Sequence, residues 1–124
     1  MAKILLVEDN AHNRTVFETA LRQRGFELVI AEDGARALEL VATTEPDLVL
    51  LDLSLPKVDG WTVARRIRAD SNPRVASLPI VALTAHAMKG DRERALAAGC
   101  NEYVSKPVSP RQLARTVEAL VRAA

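Results

Sequence analysis

Four short apolar runs, Ile4 to Val7, Leu28 to Ala31, Leu48 to Leu51 and Ile80 to Leu83, constrain the fold of this chain more than any other feature. None alternates apolar with polar residues, as a strand with one wet face does, so each reads as a strand buried on both faces. Between them lie stretches with helical spacing: Val16, Phe17, Ala20 and Leu21, then Ala35, Leu38, Val41 and Ala42, then Val63, Ala64 and Ile67. These predict amphipathic helices. Stops fall where the alternation needs them. Gly25 follows Arg22 and Arg24, Pro46 precedes the third run, and Gly99 closes a helix beginning near Met88. A fifth short strand, Glu102 to Val104, comes before Pro110, which suits the first turn of a last helix carrying Leu113, Val117, Leu120 and Val121 on one face. Five strands alternating with five helices predict an α/β fold, a doubly wound five-stranded parallel sheet with right-handed crossovers.

At 124 residues the chain is expected to form one domain over 1–124. Aromatic residues are only 3% of it, so the core is aliphatic. Seventeen Lys plus Arg against sixteen Asp plus Glu leave a formal charge of +1, which argues against a nucleic-acid or membrane-surface partner. Cys100 is the sole cysteine, so no internal disulfide can form, and its simplest role is that of a small buried hydrophobe. The first apolar run is too short for a signal peptide or a membrane span. A reducing, cytoplasmic setting is therefore expected.

In a doubly wound sheet ligands collect outside the carboxyl ends of the strands. Those positions hold Glu8 and Asp9 after the first strand, Asp52 at the end of the third, Thr84 after the fourth and Lys106 after the fifth. Three clustered carboxylates repel one another, and a hard cation relieves the repulsion; oxygen ligands in an open site favour Mg2+. No Cys and His cluster has the spacing for zinc. An aspartate can take a phosphoryl group as an acyl phosphate when nearby donors neutralise the transferred oxygens, a part that Thr84 and Lys106 can fill. Each residue alone has a plainer reading, since a strand-end Asp usually caps a loop and a lone Lys or Thr usually faces solvent. Their convergence on one sheet edge carries the argument.

The motifs are the apolar run continuing into Glu8-Asp9-Asn10, Asp47 to Leu53, Leu55 to Gly60, Ala82 to Ala85, and Val104 to Pro107. With these the sequence resembles the receiver domains of two-component response regulators, from Lys3 to Ala123. The resemblance implies strand order 2-1-3-4-5 and a phosphorylation-dependent switch, stand-alone and without an output domain. It implies that Asp52 is the phosphoacceptor, that Asp9, Asp52 and the Ser54 carbonyl hold Mg2+ with Glu8 acting through water, and that Thr84 and Lys106 bind the phosphoryl group. The donor would be a sensor histidine kinase or a histidine phosphotransfer protein, and the chain would catalyse only its own phosphorylation and slower dephosphorylation. Thr84 and Tyr103 would form the switch, with a downstream protein binding the face of the fourth helix, fifth strand and fifth helix. The bond before Pro107 corresponds to a cis peptide. Leu55 and Val58 stand where many relatives carry methionine, and Ser54 and His86 occupy positions that tune hydrolysis.

Other readings compete. A scaffold of the same fold without phosphorylation would typically lack one of Glu8, Asp9, Asp52, Thr84 and Lys106. A flavin binder would need a Ser/Thr/Gly-rich phosphate loop where Glu8-Asp9-Asn10 stands. His12 and His86 are expected at the surface, Trp61 as a partly exposed packing residue, Pro56 as a stiffener of the acceptor loop, and Arg65, Arg66 and Arg68 as a solvated helix face.

Overall fold

The computed structural model describes residues 2–55, 57–84 and 89–123; Pro56, His86 and Met88 lie outside them. Its elements are β1 (Lys3–Val7), α1 (Ala11–Gln23), β2 (Glu27–Ala31), α2 (Gly34–Thr44), β3 (Leu48–Asp52), α3 (Gly60–Arg68), α4 (Pro73–Ala76), β4 (Ile80–Thr84), α5 (Asp91–Ala97), β5 (Glu102–Ser105) and α6 (Pro110–Ala123). All strand pairs are parallel and the order is β2-β1-β3-β4-β5, as expected.

Side chains alternate across each strand and divide the interior in two. On one face Ile4, Leu6, Leu50 and Leu83 pack with Phe17 and Leu21 of α1 and Leu113 and Val117 of α6. On the other, Leu5, Val7, Leu51 and Ala82 meet α2, α3, α4 and Ala95 of α5. β1, β3 and β4 are almost wholly buried, as continuous apolar runs require. β2 departs from the expectation of two buried faces: Val29 and Ile30 are half-buried and Glu27 is exposed, because β2 is an edge strand covered less completely.

Two further differences concern helices. Among the described residues there are six rather than five, because Pro73–Ala76 forms one short turn, with Asn72 accepting from the Arg74 N–H and proline at the helix start. In α2 the buried side is Gly34, Ala37, Leu40 and Val41, while Ala35 and Ala42 are exposed. The helix is rotated from the expected stripe so that Gly34 lies against the Val58 carbonyl, an approach that any Cβ would block.

Helix starts are fixed by side chains of the strand-end loops. Asn10, Asp33 and Asp59 accept from the N–H groups of Asn13, Arg36 and Thr62. α5 lacks such a cap, and Ala95 is its one buried side chain.

Candidate functional site

β1 and β3 run side by side with Val7 opposite Leu51, so Glu8 emerges level with Asp52. β4 and β5 end one step further on, with Thr84 opposite Ser105. The Lys106 N–H donates to the Thr84 carbonyl at 2.7 Å, which turns the Lys106 side chain back over the sheet edge. The Lys106–Pro107 peptide bond is cis.

Glu8, Asp52 and Thr84 are buried, while Asp9 is exposed. Lys106 Nζ donates to Glu8 Oε1 at 2.7 Å and to Asp52 Oδ2 at 3.2 Å, bridging two carboxylates that would otherwise repel. The second oxygens are also held: Glu8 Oε2 accepts from the Asn10 N–H and Asp52 Oδ1 from the Ser54 N–H. Burial raises the Glu8 carboxyl, the Lys106 contact lowers it, and neighbouring Asp52 raises it again, to about 7. Burial works against the Lys106 charge, but the hydrogen bond to Glu8 and the charges of Asp52 and Glu8 outweigh it, so its proton is held more tightly than usual.

One carboxylate oxygen from each of Glu8, Asp9 and Asp52 falls within a sphere where all are 4.8 Å or less apart. Three hard oxygen donors, one of them open to solvent, fit a partly hydrated magnesium ion. Ser54 is exposed beside Asp52 and contributes its N–H to the Asp52 carboxylate.

The geometry thus gathers Glu8, Asp9, Asp52 and Lys106 at one sheet edge, with Thr84 ending the adjacent strand. A sequence profile described as the response regulator receiver domain matches residues 4–118. The chain belongs to the response regulator receiver family. This receiver is 37% identical over 116 residues to the polar-differentiation response regulator DivK of Brucella anthropi, covering 94% of this chain and 93% of that one. It resembles the crystal structure of the receiver domain of a Pseudomonas aeruginosa PAO1 sensor histidine kinase, which has a magnesium ion coordinated in the active-site cleft. That likeness has 40% identity, a TM-score of 0.87 and 98% coverage of both chains. The BeF3-activated N-terminal receiver domain of Klebsiella pneumoniae RstA is also similar, at 32% identity and TM-score 0.86, covering 97% of this chain and 98% of that one. The chain is therefore a receiver in phosphorylation-based two-component signalling. Among the described residues no helix is long and apolar enough to cross a membrane.

Around the receiver's acidic edge the remaining candidates take distinct places. By strand alternation Thr84 shares a sheet face with Ala82 and Tyr103, the side on which α5 packs. Tyr103 packs against that core, and its Oη is buried without a hydrogen-bond partner among the described residues. Burial and the nearby Asp91 charge raise the Tyr103 phenol. Gly60 lets α3 start directly under the end of β3, since a Cβ there would lie 2.5 Å from both the Asp52 carbonyl oxygen and Leu53 Cα. Trp61, half-buried, is covered by the Arg94 guanidinium 4.3 Å from the ring centroid, which links α3 to α5.

One expected surface residue is not on the surface face. Arg65 and Arg66 are exposed, but Arg68 turns inward, donating to Gly99 O at 2.8 Å, Ala76 O at 3.0 Å and Asn101 Oδ1 at 2.7 Å. At the end of α3 it meets carbonyls left by α4 and α5, which need donors. Arg14, which the sequence reading passed over, reaches back from α1 to the carbonyls of Glu8 and Asp9. Its one sequence signal is its place four residues after the helix-capping Asn10.

Proposed function

We propose that this receiver is phosphorylated on Asp52 by a histidine kinase or a histidine phosphotransfer protein, and that the modification controls a protein partner. The observation that carries this is the Lys106 ammonium held between Glu8 and Asp52, beside the exposed Asp9 carboxylate. A lysine so placed holds the acceptor in position before transfer and is already beside the oxygens of the incoming group.

In the step proposed, an Asp52 carboxylate oxygen attacks the phosphorus of a phosphohistidine. The new O–P bond forms as the N–P bond breaks, and the electron pair returns to the imidazole nitrogen. Mg2+, held by Asp9, Asp52 and the Ser54 carbonyl with Glu8 acting through water, would neutralise charge on the phosphoryl oxygens. Lys106 exchanges its Asp52 contact for a phosphoryl oxygen, and the Thr84 hydroxyl donates to another. Hydrolysis reverses the bond: water attacks phosphorus, the Asp52 O–P bond breaks, and inorganic phosphate leaves.

The phosphoryl group adds a charge of about −1.5 to −2 and strong acceptors beside Thr84. Drawing the Thr84 hydroxyl toward it alters the space next to Tyr103 on the same sheet face, which biases α5. Because α4 is an additional turn, the expected target face corresponds here to α5, β5 and α6. The one exposed large apolar side chain among the described residues, Leu96, is on α5 and supports that placement. The same reading puts the chain in the cytoplasm with its phosphodonor.

The test is incubation with a small phosphoramidate donor and magnesium, followed by intact-mass measurement of the native chain and Asp52→Asn. One phosphoryl adduct on the native chain alone is expected. An equal adduct on Asp52→Asn would move the acceptor elsewhere, and no adduct on either would sink the proposal.

A further inference from the structure

Asp9 differs from the other two members of the acidic cluster in having, among the described residues, nothing to hold its side chain. Glu8 and Asp52 are buried, each with both oxygens hydrogen-bonded. The Asp9 carboxylate is exposed and, among the described residues, makes no hydrogen bond or ion pair, yet its oxygen lies within the 4.8 Å cluster. Its placement therefore depends on the backbone that carries it.

That backbone is pinned from both sides by one side chain. Arg14 Nη1 donates to the Glu8 carbonyl at 3.1 Å and to the Asp9 carbonyl at 2.9 Å. The first belongs to the peptide plane entering Asp9 and the second to the plane leaving it, so the two dihedrals that aim Asp9 are set together. Further bonds anchor Arg14 itself. Its N–H donates to Asn10 O at 2.9 Å, and Asn10 Oδ1 accepts from the Asn13 N–H at 2.9 Å, fixing the turn of α1 from which the guanidinium reaches back. Among the described residues Arg14 forms no salt bridge, although Glu18 lies one helical turn on; Glu18 pairs with Arg22 instead.

We infer that Arg14 is a positioning residue for the metal site: it orients Asp9 for cation binding through the main chain, although its own charge opposes a cation. The inference rests on the metal site proposed above. It makes the sign of the effect diagnostic. Deleting a positive charge beside a cation site tightens binding if charge alone matters, whereas releasing the backbone of a ligand weakens it. Loss of a group that orients a metal ligand costs about tenfold or more in affinity.

Isothermal titration of the full chain with magnesium chloride would be compared for the native protein, Arg14→Met and Arg14→Lys, with a thermal melt of each. The dissociation constant of Arg14→Met should rise about tenfold. Arg14→Lys should lie between the two, because a single nitrogen makes both native bonds and an ammonium can replace part of that. A merely structural role would lower the melting temperature and leave the magnesium affinity of the folded chain unchanged, and an unchanged or tighter Arg14→Met would overturn the inference. If Arg14→Met does not fold, Arg14→Lys decides: weaker binding than native supports the inference and equal binding overturns it. Absence of saturable magnesium binding in the native chain would instead overturn the metal site and, with it, this role.

Discussion

Replacing Glu8 by glutamine tests the electrostatics of the acidic edge in the metal-free chain. The native carboxyl is raised from its ordinary 4.5 to about 7, with burial the leading cause. A carboxyl raised on folding favours the folded state while it is protonated; that contribution is complete below 4.5 and is lost as the pH rises through 7. At about 1.4 kcal/mol for each tenfold change in proton affinity, the native chain should lose about 3 kcal/mol of stability through this group between pH 4.5 and pH 8. Glutamine occupies nearly the same volume and does not titrate, so Glu8→Gln should lack that loss, while other groups largely cancel between the two proteins. Urea unfolding followed by circular dichroism, in chelator at both pH values, gives the comparison. The stability difference, variant minus native, should shift toward the variant by about 3 kcal/mol from pH 4.5 to pH 8. Parallel profiles, within about 0.5 kcal/mol, would refute the claim that burial of Glu8 sets its protonation.

Other perturbations probe other parts of the same edge. Lys106→Met leaves Glu8 and Asp52 without their shared cation and should cost about 3 kcal/mol at pH 8 without magnesium, less at pH 5 where Glu8 takes up a proton; urea unfolding at both pH values reads this out. Gly60→Ala pushes a methyl group against the Asp52 carbonyl and Leu53 and should cost about 2 kcal/mol by the same measurement. Cys100 is buried, and burial raises its thiol to about 11, so a disulfide-exchange reagent at pH 8 should label it only as fast as the chain opens. Rapid labelling of the folded chain would contradict the packing seen here.

Much of this architecture is legible in the sequence because continuous apolar runs report burial directly. Ile4 to Val7, Leu48 to Leu51 and Ile80 to Leu83 are central strands, and the polar residues following them converge because parallel strands end on one side. Leu28 to Ala31 was equally apolar yet lies at an edge, since a run reports hydrophobicity and not the number of neighbours. The rotation of α2 was hidden because alanines at 35, 37 and 42 give a weak stripe and the close approach at Gly34 comes from a loop far along the chain. α4 spans too few residues to show a period. Arg14, Arg68 and the Arg94 stack on Trp61 were illegible for a common reason: an arginine pattern does not say whether the guanidinium meets water or a carbonyl.

α5 has a small apolar anchor. Its seven residues bury Ala95 alone, its start lacks a side-chain cap, and the contacts that hold it include the Arg94 stack, the Arg92–Glu102 pair and the Arg68 bond just beyond its end. In hydrogen-exchange terms such a segment opens by itself, at a free energy well below that of the whole domain. Its amides should therefore exchange through many local openings for each global one, while those of the buried β1, β3 and β4 should wait for complete unfolding. On the proposed target face, a partner gripping α5 would draw on such an opening, and reshaping this helix would leave the central sheet undisturbed.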